Sequence, residues 1–145
     1  MDEQVYRKIR SMQYYNVFDN ITWQVSGNTV TLSGKTITLG AKSEAAAVVR
    51  DIPGVTVVNN IQELPPSPSD DRIRRAALIQ FTSRGPAQYF GYPNPEVHVV
   101  VENSHVTLEG YVARQSDSNM LNILANGIPG VFSVTNNLIV GERKF

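Results

Sequence analysis

The chain has no cysteine, no surplus of either charge and only two histidines among its 145 residues, and it lacks any apolar run of about 18 residues. Without cysteine there are no disulfides and no thiolate metal sites, and the redox compartment leaves no trace in the sequence. Without a long apolar run or a charged-then-apolar leader, the chain as it stands reads as soluble and without an export signal. Lysine plus arginine equals aspartate plus glutamate at 13 each, and the balance holds in both halves, six against six over residues 1–66 and seven against seven beyond. Phosphate backbones demand a net basic surface, so nucleic acid is not an expected partner. The serines form no Gly-x-Ser-x-Gly, and the glycines form neither Gly-x-Gly-x-x-Gly nor a phosphate loop. No catalytic residue and no cofactor is expected.

What is present is a repetition. Asn28-Thr29-Val30-Thr31-Leu32-Ser33-Gly34 returns as Ser104-His105-Val106-Thr107-Leu108-Glu109-Gly110, and Ile52-Pro53-Gly54-Val55 returns letter for letter as Ile128-Pro129-Gly130-Val131. Val106 lies 76 positions after Val30, and Ile128 lies 76 after Ile52. Val58-Asn59-Asn60-Ile61 is then answered by Thr135-Asn136-Asn137-Leu138, with the paired asparagines slipped by one. The period exceeds the roughly 20–50 residues of solenoid repeats, so each copy is a small domain and not one rung of a stack. The expected boundaries are 1–64 and 70–145, with Pro65-Pro66-Ser67-Pro68-Ser69 between them as a short, extended linker.

Each copy reads as helix, hairpin, helix, strand. Val5, Ile9 and Met12 recur at helical spacing in the first; in the second, Asp70 is placed to cap a helix carrying Ile73, Ala76, Ala77 and Phe81. Ile21, Trp23 and Val25 alternate with polar residues, then Gly27-Asn28 turns into Val30 and Leu32; Val97, Val99 and Val101 repeat the hairpin through Asn103-Ser104. Amphipathic helices follow: Ala41, Ala45, Val48 and Val49 in one copy, Leu121, Leu124 and Ala125 in the other, with Ser116 or Asp117 as a cap. Ile-Pro-Gly ends both, because proline cannot continue a helix and glycine permits the tight turn. The fold class is α+β: two αββαβ domains, each a three-stranded mixed sheet with two helices on one face.

The ordered set of Val-Thr-Leu-x-Gly, an amphipathic helix, Pro-Gly-Val and an asparagine pair before Ile61 or Leu138 resembles the BON domain, named for bacterial osmotically induced and nodulation proteins. The set occurs twice and covers nearly the whole chain. The resemblance implies a non-enzymatic periplasmic or envelope-associated protein that binds phospholipid surfaces and supports envelope integrity under osmotic stress. It implies no catalytic residue, since the motif is structural, its glycines serving turns and its valines the core.

The histidines invite a metal hypothesis. With Asn103-Ser104 as the turn, Glu102 faces His105 and His98 faces Glu109, and the two pairs stand roughly 13 Å apart at about 3.3 Å per residue. Zinc holds each imidazole at about 2.1 Å, so the two histidines do not share an ion, and exposed cross-strand pairs are expected instead.

The copies differ most between first helix and hairpin, where the second carries the longer Thr82–Pro95 stretch with Tyr89, Phe90 and Tyr92. Tyrosines favour membrane interfaces, where the ring is buried and the hydroxyl stays wet. Arg72 and Arg75 share a face of the preceding helix and can meet anionic head groups. Arg72, Arg75, Phe81, Tyr89, Phe90 and Tyr92 are therefore the candidate lipid-binding residues; the competing expectation is that the rings cover the small core. The alternative functions are a protein-interaction scaffold that docks envelope proteins on sheet faces or open strand edges, and a cation-sensing module, for which Glu102 and Glu109 offer no obvious oxygen cage.

Overall fold

The computed structural model describes residues 1–91 and 94–143. They divide into two compact units, the first built from residues 1–15 and 19–65, the second from Asn16–Phe18 and the chain from Pro66 onward.

In the first unit, helix α1 (Asp2–Arg10) precedes a hairpin of β1 (Asn20–Ser26) and β2 (Thr29–Thr36), then helix α2 (Ala41–Arg50) and the short strands β3 (Thr56–Asn59) and β4 (Gln62–Glu63). The hairpin closes through Gly27 and Asn28 with Ser26 opposite Thr29, and β2 is the central strand, antiparallel to β1 and parallel to β3 and β4. A parallel partner needs a crossover, and α2 supplies it. Val5 and Ile9 of α1, Ala41, Ala45 and Val49 of α2, and Ile21, Val30 and Leu32 of the sheet form one buried cluster. The small alanines let α2 lie close to the sheet.

The second unit repeats this order with helix α3 (Pro68–Arg84), a 3-10 turn at Ala87–Phe90, strands β5 (Val97–Glu102) and β6 (His105–Val112), helix α4 (Gln115–Asn126), and strands β7 (Ser133–Asn136) and β8 (Ile139–Val140). Its core gathers Ile73, Ala77 and Phe81 of α3, Leu121 and Ala125 of α4, and Val97, Val99, Val101, Val106 and Leu108 of the sheet.

The architecture is the expected pair of α+β units with mixed sheets, with one refinement: the third strand of each sheet is broken in two. Both breaks fall at the motif asparagines. The Asn59 side-chain amide donates to the Lys42 carbonyl while its oxygen accepts from Ile61 N–H, and Asn136 does the same with Ser118 and Leu138 N–H. Each asparagine thus interrupts its strand and ties it to the first turn of the covering helix.

The motif glycines also differ from expectation. Gly34 and Gly110 are not turn residues but sit inside β2 and β6 at φ of +108° and +120°. A Cβ there would lie 2.0 Å from the Asn20 carbonyl oxygen and 2.1 Å from that of Glu96, so only glycine lets the hairpin partner pass so close.

Helix capping is corrected twice. Ser67 and not Asp70 caps α3, accepting from Asp70 N–H, with Pro68 in the first turn. Asp70 is instead buried, and its carboxylate accepts from Asn103 and Ser104 N–H at 3.0 and 2.9 Å, holding a turn whose two residues both have positive φ. Neither Ser116 nor Asp117 caps α4, whose N-cap is Arg114 without a side-chain bond.

The hairpin register is as expected, with Glu102 opposite His105 and His98 opposite Glu109. His98, however, is buried and not exposed, its Nδ1 lying 3.0 Å from the Asn16 carbonyl. The Asn16–Phe18 segment runs along β5, where the Val17 carbonyl accepts from Val99 N–H. Arg74, only 3% exposed, donates from one guanidinium nitrogen to the Val101 carbonyl and from another to Asp71. The outer edge of β5 is therefore protected by backbone and by a buried arginine, a common answer to the hazard of an unpaired strand.

Candidate functional site

Helix α3 sorts its residues by turn. Ile73, Ala77 and Phe81 point into the core, while Arg72 and Arg75 stand exposed and Ile79, one turn beyond Arg75, is 63% exposed. The spacing of 72, 75 and 79 is the three-and-four rhythm of one helix face. Neither Arg72 nor Arg75 has a hydrogen-bond or ion-pair partner among the described residues, in contrast to Arg74, which is held by Asp71 and the Val101 carbonyl. The first half of the helix thus carries one structural arginine, Arg74, and two uncommitted ones, Arg72 and Arg75.

The aromatic insertion behaves otherwise. Phe81 is 0% exposed and Tyr89 is 8% exposed, so both are core residues and not surface anchors. The 3-10 turn folds the insertion back over the end of the core, and there the Tyr89 hydroxyl donates to Asp117 Oδ2 at 2.6 Å and accepts from Ala113 N–H at 2.8 Å. With both its capacities met internally, that hydroxyl has no need of water. Burial, followed by the hydrogen bond to the Asp117 carboxylate, raises the Tyr89 phenol above its ordinary range. Phe90 is half-buried and stacks on Phe81 with ring centroids 5.4 Å apart. Tyr92 lies outside the described residues. Lipid contact through Phe81 and Tyr89 is incompatible with this fold, and of the candidate residues that are described only Arg72 and Arg75 are exposed to solvent.

Ile79 escaped the sequence reading because a single isoleucine between Leu78 and Gln80 looks like core; its distance of four from Arg75 is the signal that places it on the polar face. An open cleft of about 280 Å³ lies between the end of α3 and the start of α4, bordered by Arg84, Gln88, Arg114, Ser116 and Met120. Its acid, Asp117, is engaged by Tyr89 and lies 3.6 Å from Arg114. The histidines stay apart: His105 bonds the Ser133 hydroxyl and meets the Phe132 ring edge-on, on a different element from the partner of His98. No group of three or more histidine, aspartate or glutamate side chains suited to a metal ion comes together among the described residues.

The model of the BON domain matches this sequence twice, over residues 3–65 and 70–142. The chain belongs to the BON domain family. Both BON domains carry the same close-approach glycine and strand-breaking asparagine, so the motif residues are accounted for by the fold. The family is generally non-enzymatic, and its proteins are typically periplasmic or envelope-associated and linked to phospholipid binding. No helix among the described residues is long and apolar enough to cross a membrane. No curated protein matches the chain. Among solved structures it is similar to the C-terminal domain of CdsD, the structural protein of the type III secretion system of Chlamydia trachomatis, at 13% identity and a TM-score of 0.37 over 97% of this chain and 96% of that one. A second CdsD structure is similar at 14% identity and a TM-score of 0.32, over 97% and 91% of the two chains.

Proposed function

We propose that this tandem BON protein is a non-enzymatic component of the bacterial envelope that binds anionic phospholipid surfaces reversibly through its second domain and supports envelope integrity under osmotic stress, with domains at 1–64 and 70–145 and residues 65–69 between them. The observation that carries the reading is the exposed face of α3, where Arg72 and Arg75 stand without partners among the described residues and Ile79 extends the same stripe. Each arginine contributes about 1 kcal/mol near an anionic head-group layer. Burying most of an isoleucine side chain adds about 1.5–3 kcal/mol. The sum suits reversible surface association and falls far short of insertion.

The scaffold alternative finds less support in the second domain, because the outer edge of β5 is already engaged by Val17 and Arg74. A cation-sensing role has little to draw on, since Glu109 accepts from Asn137 across the sheet and Glu102 faces His105.

Co-sedimentation with phosphatidylethanolamine vesicles, with and without phosphatidylglycerol, tests the reading. Binding should require the anionic lipid, weaken as salt is raised, and fall in the Arg72→Ala, Arg75→Ala double variant while the unfolding midpoint stays within the small range typical of exposed substitutions. Equal binding to both vesicle types would refute it.

A further inference from the structure

The one-residue slip between the two copies has a structural origin. In the first domain Thr29 pairs with Thr56, and in the second the equivalent His105 pairs with Ser133, so the second has one residue more between its turn glycine, Gly130, and the ladder. Phe132 N–H bonds the Ser104 carbonyl just as Thr56 N–H bonds that of Asn28, yet Ser133 takes the ladder position. Two residues thus occupy the space of one, which is a bulge, and bulges re-aim side chains. This one aims Phe132 outward, leaving it 79% exposed. Its ring touches only the edge of His105 among the ring contacts described, with centroids 4.9 Å apart. A large ring left in water costs hydrophobic free energy that the fold does not recover.

The surroundings point to what would cover it. A Cβ on Gly130 would lie 3.3 Å from a terminal guanidinium nitrogen of Arg72, so the uncommitted Arg72 lies over the same turn that delivers Phe132. Arg75 stands one turn further along α3. A projecting ring beside a turn that Arg72 overlies, with Arg75 exposed on the same helix, complements a layer with an anionic surface and an apolar interior, where rings settle at the boundary and cations meet phosphates.

We propose that Phe132 is the inserting residue of the second domain: its ring enters the boundary between head groups and acyl chains of an anionic lipid layer, while Arg72 and Arg75 engage the phosphates. This inference rests on the lipid-binding reading above and adds to Ile79 a second apolar anchor, at the bulge before β7.

The test uses the full chain and phosphatidylethanolamine vesicles containing phosphatidylglycerol. Phe132→Ser should weaken co-sedimentation about tenfold, the size expected for losing roughly half of a phenylalanine's burial, with the unfolding midpoint unchanged. Phe132→Trp should retain binding, and its added fluorescence should be quenched by acyl chains brominated near the head group, against the background of the chain's single native Trp23. If wild type binds and Phe132→Ser binds equally well, the inference is overturned and the lipid reading survives. If Phe132→Ser loses binding together with a fall in midpoint and Phe132→Trp is not quenched, the ring is structural and the inference is again overturned. If wild type does not bind these vesicles at all, the lipid reading itself fails and takes this inference with it.

Discussion

Replacing Gly34 by alanine should unfold much of the first domain, whereas the same change at Gly54 should be tolerated. Both glycines have positive φ, +108° and +78°, but a Cβ at Gly54 would meet nothing within 4 Å, while one at Gly34 would lie 2.0 Å from the Asn20 carbonyl oxygen. At Gly54 the cost is backbone strain alone, about 1–2 kcal/mol. At Gly34 a carbon and an oxygen cannot approach so closely, so β1 and β2 must separate by about 1 Å, adding an overpacking cost of about 1–3 kcal/mol to a strain of about 1–3 kcal/mol. A domain of this size has a total stability on the order of 3–10 kcal/mol. Urea titration of the full chain, followed through Trp23 of β1, should therefore show the Gly34→Ala transition shifted well below that of Gly54→Ala, with the amide spectrum of residues 70–142 retained. The reasoning is refuted if the two variants lose the same stability, because that would make the close approach irrelevant and leave only the dihedral angle.

The Tyr89 hydroxyl gives a second prediction: Tyr89→Phe leaves Asp117 and Ala113 N–H short of a partner and should cost about 1–3 kcal/mol. The raised phenol of Tyr89 favours the fold fully below the ordinary tyrosine value of about 10 and loses that contribution as pH rises through the higher folded value; wild type should thus lose stability in alkali more steeply than Tyr89→Phe, and parallel pH curves would contradict this. Asp70→Ala removes the acceptor for both turn N–H groups of Asn103 and Ser104, and chemical denaturation should record a loss of about 2–4 kcal/mol; a loss under about 0.5 kcal/mol would return Asp70 to an ordinary exposed helix start.

The sequence by itself determined the duplication, the fold class and the hairpin register, because these rest on local chemistry: period-two valines flanking two-residue turns, helical spacing of alanine and leucine, and proline-glycine stops. Those signals need only neighbours along the chain. It could not decide which side chains of a short, mixed segment reach the core, and there the tertiary structure ruled. Tyr89 is buried because the 3-10 turn lays it against Asp117 and Ala113, partners more than twenty residues away, and Arg74 is buried because a strand edge needed a donor. Asp70 looked like a cap because an aspartate oxygen readily accepts from the first-turn N–H groups, yet Ser67 met that need locally and left the carboxylate for a distant turn. Phe132 was visible only as a slipped alignment of asparagines; the bulge that exposes it arises when the closing strand must pair with β6 in a register one residue longer than the first domain uses. Local periodicity chooses elements, but the competition of donors, acceptors and volume among elements chooses which of their residues remain at the surface.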